Sequence, residues 1–111
     1  QQTIERCKIA IKANPFCFKH IIKQTIELSM FALKLNPRIL SEINVQTLEM
    51  CLYAVGRDAL AVRDFNTNAA DVFIMATFIN PHCVYYIENY QIKRECMDII
   101  DEIKSRANLV Y

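Results

Sequence analysis

Five cysteines and two histidines are the side chains of this sequence that could serve as nucleophiles or soft metal ligands: Cys7, Cys17, Cys51, Cys83, Cys96, His20 and His82. A structural zinc site draws its ligands from close pairs, and no C-x-x-C occurs, nor does either histidine stand at metal spacing from a cysteine pair. A nucleophilic thiol needs a base within reach. Cys17 precedes His20 by one helical turn, so the two can touch. That spacing would allow a reactive thiol, but the expected arrangement is a core thiol beside a surface imidazole. No Ser-His-Asp grouping follows from the register. The odd cysteine count leaves at least one thiol unpaired, and the spacings are too wide for a small disulfide scaffold. The expectation is reduced, mostly buried thiols in a cytoplasmic protein that is not an enzyme, with no catalytic residue, no metal and no cofactor.

A second chemical pattern is a row of acids, Glu5, Glu27, Glu49 and Asp71, at steps of 22 residues. Shared metal binding would need them within a few ångströms of one another, whereas packed helices stand about 10 Å apart. Their neighbours give a simpler role. The tripeptide Thr3-Ile4-Glu5 recurs as Thr25-Ile26-Glu27 and Thr47-Leu48-Glu49, and Ala69-Ala70-Asp71 keeps the acid. Threonine is a good helix N-cap, and an acid in the first turn suits the positive end of the helix dipole. The acid falls at N2 rather than N3, so no capping box is expected.

The elements that position these residues follow from the same repeat. Counting from the threonine as slot one, slot eight is Ala10, Ala32, Ala54 and Ala76. Asn-Pro follows as Asn14-Pro15, Asn36-Pro37 and Asn80-Pro81, with Asp58-Ala59 in the third unit. A large apolar residue closes the pattern: Ile21, Ile43, Phe65, Ile87. Each unit reads as two short helices. The asparagine ends the first, the proline opens the second, and the second runs from Pro37 to about Ile43 in unit two. Small residues at slot eight predict tight helix crossings. No segment alternates with period two for long, which excludes strands.

A pair of such helices cannot bury its own apolar face, whereas stacked neighbours can. The predicted fold is all-α, an α-solenoid in one domain over residues 1–111, with units 3–24, 25–46, 47–68 and 69–90 and a capping unit 91–111. In the fifth unit Asp98 falls at the alanine slot and Glu102-Ile103 at the Asn-Pro slot. Units one and five read as polar ends: Arg6 and Lys8 replace the apolar residues of the inner units, and charges crowd between Lys93 and Arg106.

The pattern T-x-E-x-C-x-x-A-V-x-x-N-P resembles a family of short helical repeats of unknown function that is abundant in giant viruses of the Mimivirus type. Cys51 with Ala54-Val55 and Cys7 with Ala10-Ile11 match it most closely, and Gln24-Thr25 and Gln46-Thr47 match the unit junction. The resemblance spans residues 3 to about 90. It implies a viral protein in the host cytoplasm or the virion, and it brings no catalytic residues.

Composition narrows the partners. Hydrophobic residues make up 53 % of the 111, enough for a packed core. The single glycine, Gly56, cannot build a phosphate-cradling loop. The formal net charge of +1 supplies no strong field. Unit one is basic, with Lys8, Lys12, Lys19 and Lys23, but Met30, Leu52 and Ile74 replace that charge further on, so no nucleic-acid groove is expected. The longest uncharged run, Val72 to Ile87, is broken by Asn80-Pro81, so no membrane span is expected. The chain begins at Gln1 with no signal-like segment, as a piece of a longer protein would.

One helix departs from the rest. Residues 70–79 carry Val72, Phe73, Ile74, Met75 and Phe78 around most of the circumference, and Tyr85, Tyr86 and Tyr90 follow. Such a helix is either buried on all sides or a contact surface. Slot ten is Lys12 and Lys34 in units one and two and Phe78 here, so Phe78 and at least one of Tyr85 and Tyr86 are expected to be exposed. The candidate partner interface is Phe78, Tyr85, Tyr86, Tyr90, Phe73 and Met75. The expected function is a non-enzymatic protein-interaction or scaffolding module with a protein partner and no small-molecule substrate. The alternatives are a self-assembling virion-associated protein and an accessory domain fused to an enzyme whose catalytic part is not in this chain.

Overall fold

The computed structural model describes residues 3–110, without the side chains of 108–110, so the extreme ends of the predicted span lie outside it. Among the described residues every regular element is a helix. The α helices are α1 (Ile4–Ala13), α2 (Ile26–Leu35), α3 (Leu48–Arg57), α4 (Ala70–Ile79) and α5 (Tyr90–Val110). Four 3-10 helices separate them: η1 (Pro15–His20), η2 (Pro37–Glu42), η3 (Ala59–Asp64) and η4 (Pro81–Tyr86). The second helix of each pair is thus a six-residue 3-10 turn that stops one residue before the closing apolar side chain, which sits in extended backbone.

The starts and breaks have local causes. The Thr3, Thr25 and Thr47 hydroxyls accept from the N–H groups of Arg6, Leu28 and Met50 at 3.1–3.2 Å. The N–H of Thr47 donates to Met50 Sδ at 3.5 Å, so a weak capping box forms on sulfur where none was expected. Ala69 offers no side-chain cap to α4; the carboxylate of Asp71 accepts from the N–H of Val72 instead, at 3.0 Å. At the breaks the Asn14, Asn36 and Asn80 side chains accept from the N–H groups of Phe16, Arg38 and His82. Asp58 accepts from Leu60 N–H at 3.0 Å in the same manner, so unit three breaks without its proline.

Slots five and nine of α1 to α4 are buried throughout: Cys7 and Ile11, Ser29 and Leu33, Cys51 and Val55, Phe73 and Thr77. Slot eight is sealed at Ala32, Ala54 and Ala76 but open at Ala10, where no other described helix covers that face of α1. The closing residues Ile43 and Ile87 are buried, and Phe65 packs half-buried on the core.

The fifth unit corrects the predicted register. Its helix starts at Tyr90, not after Gln91, with the Asn89 side chain accepting from Ile92 N–H at 3.1 Å. The step from Ala69 to Asn89 is therefore two residues shorter than the others. Asparagine is the better N-cap, and this register turns Ile92 and Cys96 into the core where the predicted one would have turned Arg94 and Asp98. Cys96 takes the alanine slot. No break follows, and α5 runs for 21 residues.

Each α helix packs against the next and, from α1 to α4, against the 3-10 helix that follows it; each 3-10 helix packs against the next; and α2, α3 and α5 also touch the 3-10 helix preceding them. The described chain is elongated, about 60 × 27 × 17 Å.

Candidate interaction surface

Polar side chains close the junctions between units. The Gln24 amide donates to the carbonyls of Phe18, at 3.4 Å, and Glu42, at 3.0 Å, while its oxygen accepts from Asn44 N–H at 2.9 Å. Gln46 repeats this one unit on, donating to Leu40 and Asp64 carbonyls at 2.8 Å and accepting from Asn66 N–H at 3.0 Å. One glutamine thus satisfies the ends of two successive 3-10 helices and the extended segment beside them. The guanidinium of Arg38 donates to both oxygens of Asp64, at 2.8 and 3.5 Å, across the same junction, and this hydrogen bond to Asp64 keeps Arg38 firmly protonated. The glutamines had a signal in the sequence, since both precede a capping threonine at the repeat step, but that pattern identified a boundary and not a clamp.

At the C-terminal end the residues before the caps are Asn68 and Glu88, and the surface opens. Phe78 is 60 % exposed, Tyr85 69 %, Tyr90 73 % and Tyr86 38 %, with Met75 and Ile79 also exposed. Phe73 leaves this set. It is buried, its ring 5.1 Å from that of Phe65, because slot five points inward in every unit from one to four. The apolar circumference of α4 therefore divides: Phe73, Ala76 and Thr77 face the core, Val72 and Ile74 are half-buried, and Met75, Phe78 and Ile79 face solvent.

Two shallow grooves lie beside Phe78. One, of about 310 Å³, runs between α4 and α5 and is lined by Phe78, Ile99, Ile100 and Ile103. The other, of about 260 Å³, lies between η4 and α5 and is lined by His82, Tyr85, Met97 and Asp101. They share Pro81, Ile100 and Lys104. The α5 members are not legible from a constant 22-residue step, because α5 starts two residues early and only that register aligns the stripe Met97, Ile100, Ile103.

Burial pushes the Cys51 and Cys83 thiols up to about 11 and raises that of Cys96, against the hydrogen bond from Thr77, so all three are neutral at physiological pH. Cys17 is half-buried and His20 exposed at the end of η1. Among the described residues no group of three or more His, Cys, Asp or Glu is placed to hold a metal ion, and no helix is long and apolar enough to cross a membrane. Comparison with protein-family models, with curated proteins and with solved structures finds no match.

Proposed function

We propose that the chain is an α-solenoid acting as a non-enzymatic protein-interaction or scaffolding module, with its contact surface at the C-terminal end. The solenoid reading is supported by the 22-residue step of helix caps and breaks and by the packing of each α helix on the next. Phe78 carries the functional reading. At slot ten its counterparts Lys12 and Lys34 are exposed, and an exposed phenylalanine bordered by Met75 and Ile79 has no folding role at that position. The repeat resemblance and the odd number of cysteines, four of them buried, support a reducing, cytoplasmic setting.

The variant Phe78→Lys tests this. Its melting temperature is expected to stay near that of the wild type, while a wild-type chain immobilised as bait retains a protein that the variant loses. A large drop in melting temperature, or equal retention by both, overturns the reading. Sedimentation of the free chain separates the self-assembling alternative, which requires a mass that rises with concentration and falls in the variant.

A further inference from the structure

We infer that the groove between η4 and α5 is a docking site for a short helical turn of another polypeptide, of the form Asn-Pro-x-apolar-apolar followed within two residues by an acid. The inference rests on the proposed interaction module and names its partner's chemistry.

The argument comes from what fills the equivalent place inside the molecule. Each 3-10 helix from η2 onward packs, among its neighbours, against the α helix of its own unit and the 3-10 helix before it. Thus η2 lies on α2 and η1, η3 on α3 and η2, and η4 on α4 and η3. The next in that series would lie on α5 and η4. Those two elements, and no others, line the 260 Å³ groove, η4 through Pro81, His82 and Tyr85 and α5 through Met97, Ile100 and Lys104. The groove exists because α5 does not break. It continues straight to Val110, so it contributes one wall of a junction and leaves the other unfilled. An interface that recurs three times among the described residues is thus continued beside η4 by two of its walls.

The internal occupants define the chemistry. Each begins at a capping Asn or Asp, and η2 to η4 bury two adjacent small or apolar residues: Ile39 and Leu40, Ala61 and Val62, Cys83 and Val84. At the last 3-10 position η2 and η3 carry an acid, Glu42 and Asp64, and Asp64 reaches Arg38 of the preceding 3-10 helix at 2.8 Å. The position of Arg38 is His82 in η4, and Lys104 stands on the same rim, so a basic edge is retained for an acid to meet. Asp101, on the opposite wall, disfavours a second acid further along.

The chain supplies its own probe: a capped peptide of residues 36–43, Asn-Pro-Arg-Ile-Leu-Ser-Glu-Ile, added to the isotope-labelled protein. A peptide this short must be ordered on binding, so saturation with a Kd of order 1 mM is expected. Amide and methyl shifts should be confined to η4 and α5. Met97→Lys, at an exposed position, should weaken binding at least tenfold with its melting temperature unchanged, and a peptide with Ile and Leu replaced by Ser should not bind. Absence of saturable shifts, shifts centred elsewhere, or binding indifferent to Met97→Lys overturns the inference. A concentration-dependent dimer abolished by Met97→Lys without peptide also overturns it, in favour of a second copy. If Phe78→Lys abolishes capture of a partner while the peptide fails to bind, the groove is refuted and the interaction module stands.

Discussion

Units three and four are neighbours built on one plan, and each breaks the repeat in a different place. Unit three loses its Asn-Pro, carrying Asp58-Ala59 instead, yet the break is intact because a carboxylate oxygen accepts the Leu60 N–H as an amide oxygen would. Asp58 lacks the other half of the asparagine: Asn80 also donates its amide to the Val55 carbonyl of α3 at 2.9 Å. Unit four keeps Asn-Pro and loses its threonine cap and its polar outer face. The backbone-directing slots therefore tolerate exchange whenever the replacement supplies the same donor or acceptor. The outward slots are under no such constraint, and there a lysine position has become Phe78. Departures of the first kind are repaired locally; departures of the second kind change which side chains the surface exposes.

If the inner faces of the two units are equivalent, the largest effects should be shared by both. Ala54 and Ala76 are fully buried at slot eight. Replacing either with leucine should overpack a helix crossing and cost about 1–3 kcal/mol, seen as a lowered urea midpoint. Ala10→Leu, at the same slot with nothing in front of it, should be close to neutral. A midpoint unchanged in Ala54→Leu would mean that slot eight is not a crossing.

The junctions should differ next. Removing the Gln46 amide takes its donor from the Asp64 carbonyl and its acceptor from the Asn66 N–H, and leaves the Leu40 carbonyl with the Ile43 N–H alone. Gln46→Ala should cost about 1–3 kcal/mol, the range for stranding part-buried polar groups. Asn68→Ala, at the corresponding exposed position before unit four, should fall within about 0.5 kcal/mol of the wild type. Equal losses at the two sites would erase the distinction between a clamped and an open junction.

Much of this was readable in the sequence, and the parts that were not share a cause. Caps, breaks and the buried alanines followed from residue types with one dominant local role: threonine before an acid, asparagine before proline, a small residue at a constant step. The choice between an α and a 3-10 second helix did not, because Pro37 to Glu42 satisfies either. The fifth unit failed because the repeat was extended by counting, whereas the chain follows the best cap; Asn89 lies two residues before the counted position and carries Ile92 and Cys96 inward with it. Phe73 was placed with Phe78 because both are aromatic on one helix, although slot five had already been apolar or small in units one to three. The exposed aromatics of the candidate surface were legible, and its α5 wall was hidden by the register error.

Restoring the missing cap of unit four should act in the opposite direction and more weakly. Ala69 has extended backbone, φ −71° and ψ 114°, and is exposed, so a threonine fits there. Its hydroxyl would take the Val72 N–H, which Asp71 already serves at 3.0 Å. Ala69→Thr should therefore gain only about 0.5–1 kcal/mol, the low part of the range for N-caps. A gain of 2 kcal/mol or so would mean that Asp71 contributes nothing to the cap.

The smallest change tests the other half of the comparison, that Asp58-Ala59 is a repaired break and not an altered one. Ala59 opens η3 as Pro15, Pro37 and Pro81 open the other three 3-10 helices. The residue before it is ready for proline: Asp58 lies at φ −153° and ψ 112°, against −154° and 113° at Asn36, which does precede one. The Leu60 N–H bonds to the Asp58 side chain and the Ala61 N–H to the Asp58 carbonyl, so neither bond involves the N–H that proline removes. Ala59→Pro should then leave the fold untouched and restrict only the unfolded chain. The expected gain is about 0.4–1 kcal/mol, read as a rise of a few degrees in Tm. Adding Asp58→Asn should raise it further only if the new amide finds the Leu33 carbonyl, the counterpart of Val55 one unit back. A fall in Tm on Ala59→Pro would show that unit three enters its second helix along a path of its own, and that the likeness of the two breaks stops at the cap.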